Sequence, residues 1–166
     1  SQMMNDKLDN LVTNGQVELL NVRTLDVSVD ETLHELVQMI DRTKATRVVL
    51  DSLSGFELAL APEFREDFRE SLYRMTTVLS EKGVTLLMTS ELEDRFGDFR
   101  FSPYGNAFLV DAIVVQRFVE TQAQLKTIIT VIKVRGSAHS RDMRYFDITE
   151  AGVEIGDGVR VAIVKT

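Results

Sequence analysis

The arrangement of apolar residues changes once along this 166-residue chain, close to Glu91, and this change limits the folds that the chain can adopt. Before Glu91, stretches of helical periodicity separate the strand-like apolar runs, which lie at residues 17–22, 48–50 and 84–90. After Glu91, strand-like runs follow one another with no room for helices, at residues 111–119, 125–134 and 144–148. Strands that alternate with helices form parallel sheets, whereas strands so closely spaced pair antiparallel. We therefore predict an α/β fold with a mostly parallel sheet flanked by helices, followed by antiparallel strands.

Capping and periodicity predict two helices in the first part of the chain. Ser28 and Glu31 have the spacing of a capping box, and the helix that they begin carries one apolar stripe, formed by Leu33, Leu36, Val37 and Ile40. A second helix is predicted to begin near Pro62 and to end near Gly83. Its apolar stripe consists of Phe64, Phe68, Leu72, Met75 and Leu79. The run at residues 48–50 is continuously apolar, which is typical of a strand buried on both faces.

Two further segments are predicted to be a loop and a turn. Residues 92–104 are polar and aromatic, which indicates a long loop of the kind that often carries function. Asp157 and Gly158 form a two-residue hairpin signal between strand-like runs at residues 153–156 and 159–164.

Composition excludes several classes of protein. The chain has room for one domain, and its 44% of hydrophobic residues suffice for a core. A net charge of −7 argues against nucleic-acid binding, because binding to the phosphate backbone depends on Lys and Arg. The absence of cysteine excludes disulfides and thiolate zinc sites. No apolar run approaches the ~20 residues of a membrane span, and no signal segment opens the sequence, so we expect a cytoplasmic protein with no membrane partner.

Two strand ends carry charged residues suited to phosphate chemistry. Lys133 and Arg135 alternate along a strand, so they point the same way and lie about 6–7 Å apart, a spacing that suits two contacts on one polyphosphate. Two solvated charges on an exposed strand would give the same pattern. Asp51 follows the apolar run at residues 48–50, which places a carboxylate at the ligand-binding edge of a parallel sheet. A carboxylate that organises Mg²⁺ and cations that neutralise phosphate are both parts of nucleotide hydrolases.

Residues 8–155 resemble the KaiC-like branch of the RecA-type ATPases. Four segments match that family in order, at residues 9–21, 47–54, 85–91 and 133–139. The most specific is the last, Lys-Val-Arg-Gly-Ser-Ala-His, which is followed by further matches at residues 146–149 and 152–155. The resemblance implies a RecA-like fold, an ATPase activity with ATP and Mg²⁺ as cofactors, and a homo-oligomer, a hexameric ring in the parent protein.

Two features of the family are missing from the sequence. None of the nine glycines is followed by lysine, so there is no P-loop, and there is no pair of adjacent glutamates. We therefore expect the chain to be the C-terminal portion of a RecA/KaiC-like domain, truncated at its N-terminus. Residues 1–110 form the α/β part of this partial domain, and residues 111–166 form the antiparallel strands and a hairpin. The parent is expected to be an ATPase and this chain alone to be inactive.

The resemblance gives roles to residues in the first part of the chain. Asp51 matches the Walker B acid, which holds Mg²⁺ through water, although an Asp here could also cap the following turn. Ser52 would contact the cofactor, or its hydroxyl would bond only to the local backbone. Glu91 would be a catalytic polar group near the γ-phosphate, or an acid that caps the next segment. His34 is expected at the surface.

The resemblance also gives roles to the C-terminal signature. Lys133 and Arg135 would reach the nucleotide held by a neighbouring subunit, where Arg135 would stabilise the transition state. Gly136 would allow close approach of the backbone. Ser137 and His139 would face ribose, base or phosphate, although His139 could equally be a solvated loop residue. Arg95 and Arg100 in the long loop could be further cations for a neighbour's nucleotide, but they are expected to be solvated. Asp111 is expected to be structural.

A second interpretation belongs to a different class. The chain could be a non-hydrolysing RecA-like module for assembly or signalling, with a vestigial nucleotide signature. The 133–139 segment favours an ATPase for the parent protein, whereas the missing P-loop favours the second interpretation for this chain.

Overall fold

The computed structural model describes residues 2–21, 28–59, 68–91, 108–121 and 123–159. The helices are α1 (Gln2–Thr13), α2 (Val29–Thr43), α3 (Leu53–Ala59) and α4 (Phe68–Glu81). The strands are β1 (Arg47–Leu50), β2 (Thr85–Met88), β3 (Ala112–Thr121), β4 (Gln124–Val134), β5 (Arg144–Thr149) and β6 (Gly152–Gly158). The chain divides into two compact units. We call Leu20–Leu109 the parallel unit, and Ser1–Leu19 together with Val110–Thr166 the antiparallel unit.

The parallel unit contains the predicted parallel strands and the first predicted helix. Strands β1 and β2 pair in parallel, so that Leu50 lies beside Met88 at the end of both strands. The capping box that begins α2 is present: the Ser28 hydroxyl accepts from Glu31 N at 3.2 Å, and the Glu31 carboxylate accepts from Ser28 N at 3.0 Å. These findings confirm the α/β class and the start of this helix.

The core of the parallel unit lies between its helices and one face of the strand pair. Its buried residues are Val29, Ile40, Leu53, Phe56, Phe68, Leu72, Met75, Leu79 and Val84. The α4 stripe is therefore confirmed in its last four members, whereas Pro62 and Phe64 lie outside the described residues. Gly83 follows α4 with φ of +72°, a left-handed conformation that glycine adopts without strain, and leads the chain into β2.

Two strand predictions for this part of the chain are wrong. Strand β1 is not buried on both faces, because Val49 is 62% exposed and Leu87, beside it on β2, is 60% exposed. Their neighbours in sequence pack against the core, so the described helices cover only one face of the pair. Residues 17–21 form no strand, since a strand needs a hydrogen-bonded neighbour and the described residues provide none. Val22 lies outside the described part.

The antiparallel unit contains a four-stranded sheet in the order β3-β4-β5-β6. All three pairings are antiparallel, as predicted. The β3–β4 pairing has one irregularity: Val114 lies opposite Val131 and Ile113 opposite Lys133, so Ile132 is an extra residue in β4. Such a β-bulge changes the direction in which the following side chains project.

The hairpin predicted at Asp157 and Gly158 is wrong. Both residues continue strand β6, and Gly158 lies opposite Arg144 of β5. The tight turn occurs instead between Thr149 and Gly152, which are paired with each other. Residues 160–164, the second strand of the predicted hairpin, lie outside the described part of the chain. None of the described helices has the length and apolar character needed to cross a membrane.

Candidate functional site

Asp51 follows β1 and is fixed by the pairing of β1 with β2. Thr89 N donates to Leu50 O at 3.1 Å, and Leu53 N donates to Thr89 O at 2.9 Å. The Thr89 hydroxyl donates to Asp51 Oδ1, and the peptide bond between Asp51 and Ser52 is cis. Main-chain bonds on both sides of Asp51 therefore hold its exposed carboxylate at the C-terminal edge of the strand pair.

Ser52 and Glu91 lie in the two chain segments that leave the sheet after β1 and β2. The Ser52 hydroxyl accepts from Gly55 N at 3.1 Å, and its carbonyl accepts from Phe56 N at 2.9 Å. These bonds support the local backbone role for Ser52, at the start of α3. Glu91 is exposed and lies two residues beyond Thr89.

The chemistry around Asp51 fits a hydrated magnesium ion. Within the described residues, no cluster of three or more His, Cys, Asp or Glu side chains could enclose a metal. Mg²⁺ does not need such a cluster, because it keeps several waters and binds through one or two carboxylates together with substrate phosphates. An exposed carboxylate with one oxygen held by Thr89 matches that requirement. Asp51 is the residue that would hold the ion, through water.

Lys133 and Arg135 both bind the short segment that precedes β3. Lys133 Nζ donates to Val110 O at 2.8 Å. Arg135 N donates to Asp111 O at 2.7 Å, and Arg135 Nη1 lies 3.4 Å from Asp111 Oδ1. The Arg135 side chain is 56% exposed and that of Asp111 is 81% exposed. The two cations therefore contact consecutive residues at one end of the sheet, with Arg135 just beyond the end of β4.

The residues after Arg135 turn the chain away from the sheet. Gly136 has φ of +69°, and a Cβ atom there would meet nothing within 4 Å, so backbone conformation rather than space favours glycine. Ser137 Oγ donates to Ala138 O at 3.3 Å. His139 Nε2 is buried and has no hydrogen-bond partner in the described part of the chain, which is unlike a solvated histidine.

The other charged candidates are placed as follows. His34 Nε2 lies 2.8 Å from Gln38 Nε2 on the exposed side of α2, in agreement with the surface position predicted for it. Arg95 and Arg100 lie outside the described residues.

The sequence did not identify Thr89 or Asp111 as partners of site residues. A signal for Thr89 was present, because parallel strands end at one edge and Thr89 directly follows Met88, the partner of Leu50. Asp111 was predicted to be structural. Asp111 lies just before β3 and beside the end of β4. This position can be predicted only after the two strands are known to be neighbours.

Comparisons with known proteins agree on one family. Residues 3–159 match the family model described as "ATPase: KaiC". The circadian clock protein KaiC3 of Synechocystis sp. (strain PCC 6803) is 31% identical over 122 residues, which cover 74% of this chain and 24% of that protein. The circadian clock oscillator protein KaiC of Thermostichus vulcanus is 24% identical over 152 residues, 92% of this chain and 29% of that protein. The chain thus spans about a quarter of the length of these relatives.

A solved structure gives the same result for the fold. A KaiC-like protein from the hyperthermophilic archaeon Pyrococcus horikoshii OT3 superposes with a TM-score of 0.76 and 26% sequence identity. The match covers 90% of this chain and 64% of that one.

Proposed function

Because this chain belongs to the KaiC ATPase family, we propose that it supplies two separate parts of an ATP-hydrolysing site in a ring of identical subunits. Asp51 serves the nucleotide bound by its own subunit, and Lys133 and Arg135 serve the nucleotide held by the neighbouring subunit. The P-loop belongs to the parent protein, by which we mean a polypeptide that contains both this chain and a P-loop segment. The cofactors are ATP and Mg²⁺.

The observation that carries the proposal is the exposed Asp51 carboxylate at the shared end of β1 and β2. Its Oδ1 accepts from Thr89, so the carboxylate has a fixed orientation before any ligand arrives. An oriented carboxylate loses little freedom when it binds a hydrated cation. Bound Mg²⁺ supplies positive charge that offsets charge developing on the transferred phosphoryl group.

Lys133 and Arg135 act on the phosphate of a nucleotide whose Mg²⁺ is held by Asp51 of a different subunit. Arg135 can form two parallel hydrogen bonds to phosphate oxygens, whereas the Lys133 ammonium is a compact point charge. The exposure of the Arg135 side chain, 56%, makes it accessible to a group outside its own subunit. Cations directed at a γ-phosphate stabilise the transition state more than the ground state.

The remaining site residues have supporting roles in this proposal. Glu91 contributes a polar group near the γ-phosphate, and Ser52 shapes the turn behind Asp51. Gly136 allows the turn that brings Ser137 and His139 to the nucleotide at the subunit boundary. Among the described residues His139 Nε2 is buried without a hydrogen-bond partner, which supports a role in binding because buried polar atoms normally have one.

The test mixes two inactive variants of the parent protein. Arg135→Ala subunits retain Asp51, and Asp51→Asn subunits retain Arg135. If one site draws these residues from different chains, mixed rings contain some interfaces with both residues intact, and activity returns. Separately assembled rings combined without subunit exchange are the control. Rings shown to be mixed but still inactive would falsify the assignment to neighbouring subunits.

The chain by itself should bind ATP weakly. Phosphate affinity in P-loop ATPases comes mainly from the P-loop amides and lysine, which the sequence lacks. Calorimetry on the 166-residue chain should therefore detect no micromolar binding of Mg²⁺–ATP. Binding in that range would show that another part of the chain holds the nucleotide.

One observation favours the alternative, a non-hydrolysing module for assembly or signalling. Arg135 already pairs with Asp111, and an ion pair within the chain is one way to use an arginine without a nucleotide. In that case the parent protein would not hydrolyse ATP, it would assemble into rings with or without ATP, and Arg135→Ala would leave assembly unchanged.

A further inference from the structure

We propose that Asp111 is a positioning residue for Arg135: it restrains the guanidinium at the end of β4 without itself touching the nucleotide. This inference rests on the proposed function, because it concerns the cation that acts on a neighbour's phosphate. It gives a role in the site to Asp111, for which the sequence analysis predicted none.

Three contacts converge on the two-residue segment that contains Asp111. Lys133 Nζ donates to Val110 O at 2.8 Å, and Arg135 N donates to Asp111 O at 2.7 Å. The third contact joins Arg135 Nη1 and Asp111 Oδ1 at 3.4 Å. One short segment therefore restrains the backbone of Arg135, its guanidinium and the ammonium of Lys133.

A β-bulge lies directly before Lys133 and Arg135. The direction in which these side chains project therefore depends on their contacts with Val110 and Asp111. Val131 lies opposite Val114 and Lys133 opposite Ile113, although Val131 and Lys133 are two residues apart. Neighbouring residues of β3 point to opposite faces of the sheet, so Val131 and Lys133 do as well. The regular alternation of β4 thus does not extend to the cations. The bonds to Val110 and Asp111 help to set their orientation instead.

The ion pair between Asp111 and Arg135 affects the orientation of the guanidinium more than the stability of the fold. Both side chains are more than half exposed, and exposed ion pairs contribute little to the free energy of folding. An arginine side chain has many rotamers, and a carboxylate that forms an ion pair with one end of the guanidinium reduces their number while leaving other N–H donors available. Removing Asp111 should therefore leave the fold intact and increase the conformational freedom of Arg135.

The first experiment measures ATP turnover by the parent protein. Asp111→Asn is expected to lower kcat by about tenfold with little change in KM, because misplacing a transition-state contact costs rate more than binding. Asp111→Glu, which keeps the charge, is expected to restore part of the loss. Asp157→Asn, which removes an exposed charge from β6, is the matched control and should leave kcat unchanged.

The double variant separates positioning from a general structural role. If Asp111 acts through Arg135, Asp111→Asn causes no further loss in the Arg135→Ala background. An equal loss in both backgrounds would overturn the inference. Full activity of Arg135→Ala would instead refute the proposed function, whereas an inactive Arg135→Ala with normal Asp111→Asn would remove only the role of Asp111.

The second experiment observes the side chain in the 166-residue chain and needs no nucleotide. The ¹⁵N relaxation of Arg135 Nε reports the mobility of the guanidinium, with the signal assigned by Arg135→Lys. Asp111→Asn should lower the heteronuclear NOE of this signal while the melting temperature stays unchanged. An unchanged NOE would contradict the inference, even if Asp111→Asn proved too unstable for kinetics in the parent.

Discussion

Asp51 in the parallel unit and Arg135 in the antiparallel unit are both exposed, but different kinds of interaction hold them. Main-chain bonds between strand ends hold Asp51, with one hydroxyl from Thr89. Arg135 lies beyond its strand, and its guanidinium contacts the exposed side chain of Asp111. The carboxylate therefore has a position built into the sheet, whereas the cation contacts an exposed side chain that a single substitution can remove.

The two units also differ in how completely their apolar side chains are buried. The core of the parallel unit includes three α4 residues with no exposed area, Leu72, Met75 and Leu79. Among the described residues of the antiparallel unit, only Ile128 is buried to a similar degree. Several large apolar side chains on its sheet are instead exposed, including Phe118, Leu125 and Ile148. A sheet that exposes such residues is typical of a surface that another polypeptide covers.

The largest expected effect concerns the cation. Arg135→Ala in the parent protein should lower kcat by roughly 10³-fold while changing ATP affinity little, because the charge acts chiefly in the transition state. Arg135→Lys keeps the charge but loses the planar fork, so its loss should be intermediate. Steady-state kinetics and equilibrium binding of ATP separate the two quantities. If Arg135→Ala weakens only the binding of ATP, Arg135 acts in ground-state recognition. The proposed difference between Arg135 and Asp51 would then not hold.

The next effect tests the difference between the two cores. Leu72→Ala should destabilise the parallel unit by about 3 kcal/mol, the usual cost of a cavity at a fully buried leucine. Ile128→Ala, a truncation of similar size in the antiparallel unit, should cost less, about 2 kcal/mol, because its more exposed surroundings can relax into the cavity. Denaturant unfolding followed by hydrogen exchange at each unit measures both values. Similar losses at the two positions would mean that the cores are equally well packed.

A smaller effect concerns the exposed face of the parallel pair. We expect the 166-residue chain to self-associate, because exposed apolar side chains and unpaired strand edges favour pairing with another chain. Val49→Thr with Leu87→Thr should weaken this association by about tenfold, since each substitution removes apolar area from the contact. Arg47→Lys, at an exposed position two residues before Val49, is the control. A concentration-independent monomer in sedimentation of the unmodified chain would contradict the expectation.

The smallest effect is a pH dependence confined to the parallel unit. Lys82 Nζ donates to both oxygens of Asp41 at 2.8 Å, and this hydrogen bond holds the pKa of Asp41 below its ordinary value of 3.8. A lowered pKa in the folded state contributes stability above pH 3.8, and this contribution is lost as the pH falls through the lowered value. The difference in melting temperature between the unmodified chain and Asp41→Asn should therefore shrink on acidification. In a Lys82→Met background this difference should depend on pH much less, because only the weaker attraction of Lys44 still lowers the pKa of Asp41.

Much of the fold could be predicted from the sequence because local signals agreed with the tertiary structure. The Ser28–Glu31 capping box, the α4 stripe and the closely spaced strands all follow from local sequence. The exposure of Val49 could not be predicted, since an apolar run does not show which face of a sheet will be covered. The turn signal at Asp157 and Gly158 was overridden because Gly158 pairs with Arg144.

The candidate site was predictable to a smaller extent. The position of Asp51 follows from the end of a strand. The alternation predicted for Lys133 and Arg135 does not apply, because β4 ends at Val134 and the bulge lies directly before Lys133. The partners of Asp51 and Arg135, which are Thr89 and Asp111, come from other strands or strand ends, so they depend on which elements are neighbours. The bulge has no marker in the sequence, because its extra residue is an ordinary isoleucine rather than a glycine. The roles of these residues remain predictions.

The extra residue in β4 has a consequence for how related sequences should be aligned. Lys133 lies opposite Ile113 and Val134 opposite Ala112, while Ile132 has no partner of its own. Removing Ile132 would therefore leave every other pair of this ladder in register and both cations beside the same segment of β3. Removing a residue of β4 far from the bulge would instead shift the pairing of every residue between the deletion and the bulge. We expect relatives that are one residue shorter here to place their gap at Ile132, where the length of the strand can change without displacing the positive charges.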